Sequence, residues 1–297
     1  MKLAAIDIGT NAARLLISEV VHDEQQKPQF NKLSLVRVPL RLGFDVFETG
    51  EISKKKAGML YQTMKAYCHL LYVYEVDHFK ACATSAMRDA SNAEEIVRKV
   101  KMETGIEIKV ITGDEEATYI YQNHIAEQLN AEHAYLYIDV GGGSTELTFF
   151  KDGVLNFRQS FNVGTIRLLK QTVLDEDWES MKTAIRNHIK SKLPIVAIGS
   201  GGNINKIFSL SKKKEGKALH IDLLKDYYKE LSSVSLEQRV LMYKLRQDRA
   251  DVIVPALQIY TTIMRWAEID EIYVPKIGLA DGLIQSLYEE LSVKSIT

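Results

Sequence analysis

The sequence predicts an α/β protein built from two related domains that face a shared cleft. Three observations predict it. Short apolar runs of strand length alternate with segments of helical periodicity, the pattern of a layered α/β architecture. One strand–turn–strand unit occurs twice, around Asp7-Ile8-Gly9 and around Asp139-Val140-Gly141. The chain of 297 residues, 46% hydrophobic and 26% charged, is long and apolar enough for about two ordinary domains with packed cores.

Taken in order, residues 3–20 read as strand, tight turn, strand, with a further hairpin partner expected at 32–42. Residues 54–74 carry helical spacing, with Met59, Met64, Tyr67, Leu70 and Leu71 as the apolar positions. A short buried strand at 79–83 precedes a loop at 84–92. A helix at 93–104 is ended by Gly105, and a strand at 106–111 leads into a third helix. The pattern then restarts, with strands at 135–140, 146–150, 154–161 and 195–198. Gly199-Ser200-Gly201-Gly202 closes the last of these, and a largely helical remainder holds one late strand at 272–274. The lysine-rich run at 212–217 reads as a solvated loop. The domain boundary is expected within 122–130, which gives domains of 1–124 and 125–297, with the helix after Gly282 returning to the first domain.

Composition narrows the function classes. A net charge of −1 excludes a protein that coats a nucleic-acid polymer. Attraction for an anion must come from a few placed groups. No run approaches the ~20 apolar residues of a membrane span, and Asp7 interrupts the first apolar stretch too early for a signal peptide. The expected location is cytoplasmic, with no membrane partner. Cys68 and Cys82 lack metal-ligand spacing and read as buried thiols.

The repeat is the most informative internal signal. Asp7 and Asp139 stand 132 positions apart, and the same offset takes Gly9 to Gly141. Glycines at such turns let the backbone approach a ligand, and successive N–H groups form an anion-binding nest. Gly141, Gly142, Gly143, Ser144 and Thr145 offer those donors and two hydroxyls, while Asp139 could hold a hydrated divalent cation. Taken alone, such a turn is equally a plain tight hairpin. Gly201 belongs to a third glycine turn, at a helix N-terminus that favours anions. Thr112 and Glu115 have capping-box spacing, which leaves Glu116 without a structural duty and places it as a candidate general base. The bland alternative is a surface glutamate on the helix dipole. Arg14 and Arg88 are candidate phosphate clamps because a guanidinium binds phosphate bidentately; each is otherwise a surface ion-pair former.

Five ordered motifs carry a resemblance. They are Asp7-Ile8-Gly9-Thr10-Asn11, residues 84–92 (TSAMRDASN), Gly113-Asp114-Glu115-Glu116-Ala117, Asp139-Val140-Gly141-Gly142-Gly143-Ser144-Thr145-Glu146 and Gly199-Ser200-Gly201-Gly202. Together they resemble the exopolyphosphatase and guanosine pentaphosphate phosphatase family (Ppx/GppA). The resemblance implies a pair of actin-like, ribonuclease-H-like domains with an interdomain active-site cleft. It implies in-line attack of water on a terminal phosphoryl group, with Mg²⁺ or another divalent cation as cofactor. Glu116 matches the catalytic glutamate, and Asp7, Asp139 and Glu146 match the acidic groups that would hold the metal or its water. Asn11, Arg14, Arg88, Gly141, Gly142, Gly143, Ser144, Thr145, Gly201 and Arg249 would hold phosphate. Homodimers also occur in the family. Phosphoryl transfer mainly needs positioning and charge neutralisation, so this inventory is chemically sufficient.

Three departures stand out. Ala12 replaces a hydroxyl residue usual after Asn11. Gly278-Leu279-Ala280-Asp281-Gly282 resembles a motif that more often reads Gly-Leu-Arg-Glu-Gly. The sequence ends at Thr297, where longer members continue into helical domains that extend a basic channel, so short polyphosphate is the expected substrate. The alternatives are a guanosine pentaphosphate 5′-phosphatase, which would use the same groups, a sugar or acetate kinase on the same fold, and a non-catalytic nucleotide sensor.

Overall fold

A computed structural model describes residues 1–121 and 132–294, and the boundary expected at 122–130 lies outside these residues. The chain divides into two compact units, Met1–Asn123 with Gly278–Thr297, and His124–Ile277.

The first unit is one sheet with helices on both faces. Its strands are β1 (Lys2–Ile8), β2 (Ala13–His22), β3 (Pro28–Val38), β4 (His78–Ala83) and β5 (Ile108–Val110), in the order β3-β2-β1-β4-β5. β1 pairs antiparallel with β2 and parallel with β4. β1 is central, and apart from Lys2 at its start and Asp7 it is apolar and buried, as a strand covered on both faces must be. Its alternate residues serve two cores: Ala4, Ile6 and Ile8 enter one, while Leu3 and Ala5 enter the other.

The first core is closed by the helix Lys54–Val73, capped by the Ser53 hydroxyl and burying Ala57, Leu60, Met64, Tyr67 and Leu71 at helical spacing. Met59, expected on that face, is instead 40% exposed, because it lies one position away from the stripe that Leu60 defines. The second core is closed by the helix Leu279–Lys294, through Leu279, Leu283, Ile284 and Leu287. Asp281 has a local task there. It accepts from the Gly278 N–H at 3.0 Å at the start of this helix and pairs with Lys32.

Two short helices in this unit escape the sequence reading. Gly43–Thr49 has no full amphipathic turn to reveal it, and Ser85–Asp89 falls within the segment expected as a loop. The helix Ala93–Thr104 ends as expected, on Gly105 in the left-handed region at φ 72°. Cys82 is a buried free thiol; Cys68 is only half-buried, because its edge of the helix faces Thr104, whose carbonyl accepts from Sγ at 3.3 Å.

The second unit holds β6 (Ala134–Val140), β7 (Thr145–Lys151), β8 (Val154–Phe161), β9 (Ile195–Ser200), β10 (Leu219–His220) and β11 (Glu271–Tyr273), ordered β10-β11-β9-β6-β7-β8. Read from β8, the order β8-β7-β6-β9-β11 repeats the first sheet strand for strand. The antiparallel hairpins and parallel central pair also repeat. This is the actin-like, ribonuclease-H-like order, present in each unit. The helices Asp175–His188, Ile221–Ser232 and Ile253–Trp266 pack on this sheet. Residues 212–217 are an exposed connection ahead of β10. Among the described residues no helix is long and apolar enough to cross a membrane.

Candidate active site

The second glycine turn is assembled by sheet register. Asp139 on β6 lies opposite Glu146 on β7 and beside Ser200 on β9, while Glu146 lies opposite Ser160 on β8. Directly paired residues share a face of a sheet. Ser200, Asp139, Glu146 and Ser160 therefore form one polar row across four strands. Glu146 is 2% exposed, and its Oε1 accepts from two hydroxyls, Ser144 Oγ at 2.7 Å and Ser160 Oγ at 2.8 Å. Hydrogen bonds from two directions fix the orientation of the carboxylate.

The turn itself forms a cradle of amides. Gly141 N–H donates to Ser144 O at 2.9 Å and closes the hairpin. The carbonyls of Gly141, Gly142 and Gly143 are all taken from one side. Gly141 accepts from Thr165 N–H, Gly142 from Ile166 N–H, and Gly143 from Arg167 Nε at 2.8 Å. In a trans peptide the carbonyl and the next N–H point in opposite directions. The N–H groups of Gly142, Gly143 and Ser144 therefore face away from that anchor. Among the described residues, they donate to no protein acceptor. Such a run of convergent donors is an anion nest. Gly164 makes the anchor possible, since a Cβ there would stand 2.4 Å from the Gly143 carbonyl carbon.

The first turn repeats this backbone with other side chains. Gly9 N–H donates to Ala12 O at 3.0 Å, and the carbonyls of Thr10 and Asn11 accept from Gly43 and Arg41 N–H. Gly43 stands in for Gly164, because a Cβ there would meet Thr10 Cγ2 at 2.3 Å. The Thr10 hydroxyl accepts from Ala86 N–H at 3.3 Å. The register row now reads Cys82, Asp7, Arg14, Arg37. Arg14 sits at the position of Glu146 and donates to Asp7 Oδ2 at 2.6 Å. Asp7, expected among the metal carboxylates, is thus engaged by a guanidinium. Arg14, expected at phosphate, makes this ion pair.

The remaining sequence candidates occupy defined places. Thr112 and Glu115 close their capping box, with Glu115 Oε2 accepting from Thr112 N–H at 2.9 Å and Thr112 Oγ1 from Glu115 N–H at 3.1 Å. Glu115 also pairs with Lys109, which holds its carboxyl below the usual range. Glu116, in the helix Gly113–Tyr121, is 8% exposed, so it is not the surface glutamate of the bland reading. Arg88 donates to Ile111 O at 2.7 Å, and Asn11 is half-buried in the first turn. Thr145 is fully buried and its hydroxyl donates to Val163 O, a structural task beside the cradle.

Gly201 takes φ 105°, a conformation L side chains rarely adopt, and a Cβ there would press on Asp139 Oδ1 at 3.2 Å. Arg249 donates to the Gly202 carbonyl, and Tyr260, fully buried beneath, donates to Ser200 O. Burial, then the charge of Asp139, pushes the Tyr260 phenol far up, so it remains a donor. Ser160, Gly164, Arg167, Gly43 and Tyr260 were not among the sequence candidates. A Leu-Gly at 42–43 and a Val-Gly at 163–164, each after the third strand of its unit, were the available signal for two of them.

Asp139 and Glu146, directly opposed with one of them held by two hydroxyls, are an all-oxygen donor pair of the kind that suits a hard divalent cation.

Comparison with known proteins places this arrangement. The sequence matches the Ppx/GppA phosphatase family over residues 20–291. It is 29% identical over 232 residues to the bifunctional 3-dehydroquinate synthase/phosphatase of Fusobacterium nucleatum, covering 71% of this chain and 34% of that protein. The chain thus spans about a third of that relative's length. Exopolyphosphatase 1 of Mycobacterium tuberculosis is 24% identical over 304 residues, 96% of this chain and 87% of that one. The crystal structure of the Aquifex aeolicus Ppx/GppA family member superposes with a TM-score of 0.76 at 26% identity over 98% of both chains. An exopolyphosphatase from Cytophaga hutchinsonii shares the fold with a TM-score of 0.80 at 23% identity, over 99% of this chain and 98% of that one. The family match along residues 20–291 and the shared fold lead to one conclusion: the chain belongs to the Ppx/GppA phosphatase family.

Proposed function

We propose that the chain is an exopolyphosphatase that removes the terminal phosphate of inorganic polyphosphate, with short chains preferred. The observation that carries the reading is the second turn, where three outward amides stand beside Asp139 and a hydroxyl-clamped Glu146. The amides suit phosphoryl oxygens; the carboxylates suit a cation. Relatives named exopolyphosphatase along almost the full chain supply the substrate class.

In this reading Asp139 and Glu146 hold Mg²⁺, and Gly142, Gly143 and Ser144 donate to the terminal phosphoryl group. A bound Mg²⁺ supplies neutralisation of charge on that group. Glu116 takes a proton from the attacking water, whose oxygen bonds to the terminal phosphorus. The bridging P–O bond breaks, its electron pair leaves with the shortened chain, and orthophosphate is released. Arg14, Arg88, Asn11 and Arg249 serve neighbouring phosphates, and Asp7 holds Arg14 in place.

A phosphate-release assay on polyphosphates of defined length, with guanosine pentaphosphate alongside, tests the reading. Release from short polyphosphate, abolished by chelator and restored by Mg²⁺, is expected. Preferential turnover of guanosine pentaphosphate, or chelator-insensitive hydrolysis, sinks it. Glu116→Ala is expected to lose about 10²–10⁴-fold in turnover with substrate binding retained.

A further inference from the structure

We propose that Ser160 is a positioning residue for Glu146, setting how well the second turn holds its divalent cation. The inference rests on the metal reading above and extends it to a residue outside every recognised motif. Ser160 lies on β8, 14 positions from Glu146, and meets it only through register.

The geometry is specific. Glu146 projects from β7 between two hydroxyls that reach the same oxygen, Ser144 from the turn and Ser160 from the neighbouring strand. A hydroxyl has one proton to give, and both protons go to Oε1. Two donors from different backbone elements, the turn and the neighbouring strand, hold Oε1 from two directions. Ser144 also belongs to the cradle, so a phosphoryl group at the turn competes for its hydroxyl. Ser160 stands outside the cradle. It can hold Oε1 whether or not substrate is bound. Hydrogen-bond partners of ligating carboxylates orient them, and their loss commonly costs 10–100-fold in metal affinity.

The test compares direct Mn²⁺ binding, read by electron paramagnetic resonance, in the full wild-type chain and in Ser160→Ala, Ser160→Thr and Glu146→Gln. Ser160→Ala is expected to weaken Mn²⁺ binding about tenfold, with the KM for polyphosphate at saturating Mg²⁺ unchanged. Ser160→Thr, which keeps the hydroxyl, is expected to restore affinity and serves if the alanine variant folds poorly. Glu146→Gln is expected to remove the site. Wild-type Mn²⁺ affinity in Ser160→Ala, with the site lost in Glu146→Gln, overturns this inference alone. Absence of a Mn²⁺ site in the wild type, or its survival in Glu146→Gln, overturns the metal reading and this inference together.

Discussion

Hairpin β1–β2 can be laid on hairpin β6–β7 at a constant offset of 132 residues, Asp7 over Asp139 and Arg14 over Glu146. Their backbones agree in detail. Each has an Asp at the penultimate position of its first strand, and a Gly N–H closes the turn on a carbonyl three residues on. In each, a later glycine packs against the loop where its carbonyls are anchored, by Gly43 and Arg41 N–H in the first turn and by Thr165, Ile166 and Arg167 in the second. Their charges do not agree. One row carries Asp, Arg and Arg; the other carries Asp and Glu between two serines. A single register position, 14 or 146, thus converts an acidic pair into an ion pair. The shared scaffold fixes the turn; the side chain opposite the Asp sets the charge beside it. In the first turn a guanidinium faces the Asp; in the second a carboxylate does.

The largest expected effect tests that division directly. Glu146→Gln should lower phosphate release about 10²–10³-fold, the usual loss when one preorganised charge is removed from a site. Arg14→Gln should cost less, about tenfold, and mainly through KM. Steady-state kinetics across a Mg²⁺ titration separates the two, because only the Glu146 variant should lose its response to the metal. If both variants shift the Mg²⁺ requirement equally, the two turns do not divide their labour by charge.

Next come the anchoring glycines. A Cβ at Gly164 meets backbone at 2.4 and 2.5 Å, atoms of the cradle that cannot rotate away. A Cβ at Gly43 meets Thr10 Cγ2 and the Phe47 ring, which are side chains. Gly164→Ala should therefore cost about 3 kcal/mol and Gly43→Ala about 1 kcal/mol, within the range for overpacked sites. Chemical denaturation measures both. The reverse ranking would mean that the second turn yields where the first does not.

These same features show what the sequence could and could not reveal. The strands at 154–161 and the helix at 93–104 were legible because period-2 and helical patterns, with Gly105 as a stop, are local signals. The paired turns were legible because Asp-x-Gly repeats at fixed spacing. Ser160 and Gly164 were not, since their importance comes from register across β7–β8 and from a packing distance, and neither leaves a local pattern. The engagement of Asp7 by Arg14 was hidden for a related reason. Two residues on either side of a turn become neighbours only once the hairpin register is known. The helix Ser85–Asp89 is too short for periodicity to declare itself.

The smallest expected effect lies at the end of the same rows. Cys82 stands beside Asp7 where Ser200 stands beside Asp139. Burial, then the charge of Asp7, pushes the Cys82 thiol up from 9.0 to about 12. Well below pH 9.0 the thiol is protonated in both folded and unfolded chains, and stability is unaffected. Between about 9 and 12 the unfolded chain ionises its thiol while the folded chain does not, so stability is lost as pH rises. At pH 10 that loss is about 1 kcal/mol. Cys82→Ser puts the second row's residue into the first and removes this loss. Whatever a serine costs in packing applies equally at pH 8 and pH 10. Tyr67 and Tyr260, also pushed up by burial, contribute the same alkaline loss to both proteins and cancel in the comparison. Denaturant midpoints at the two pH values should therefore fall further for the wild type than for Cys82→Ser. An equal fall in both would show that Cys82 reaches solvent on opening motions short of unfolding, and that the first row is less tightly closed than its register implies.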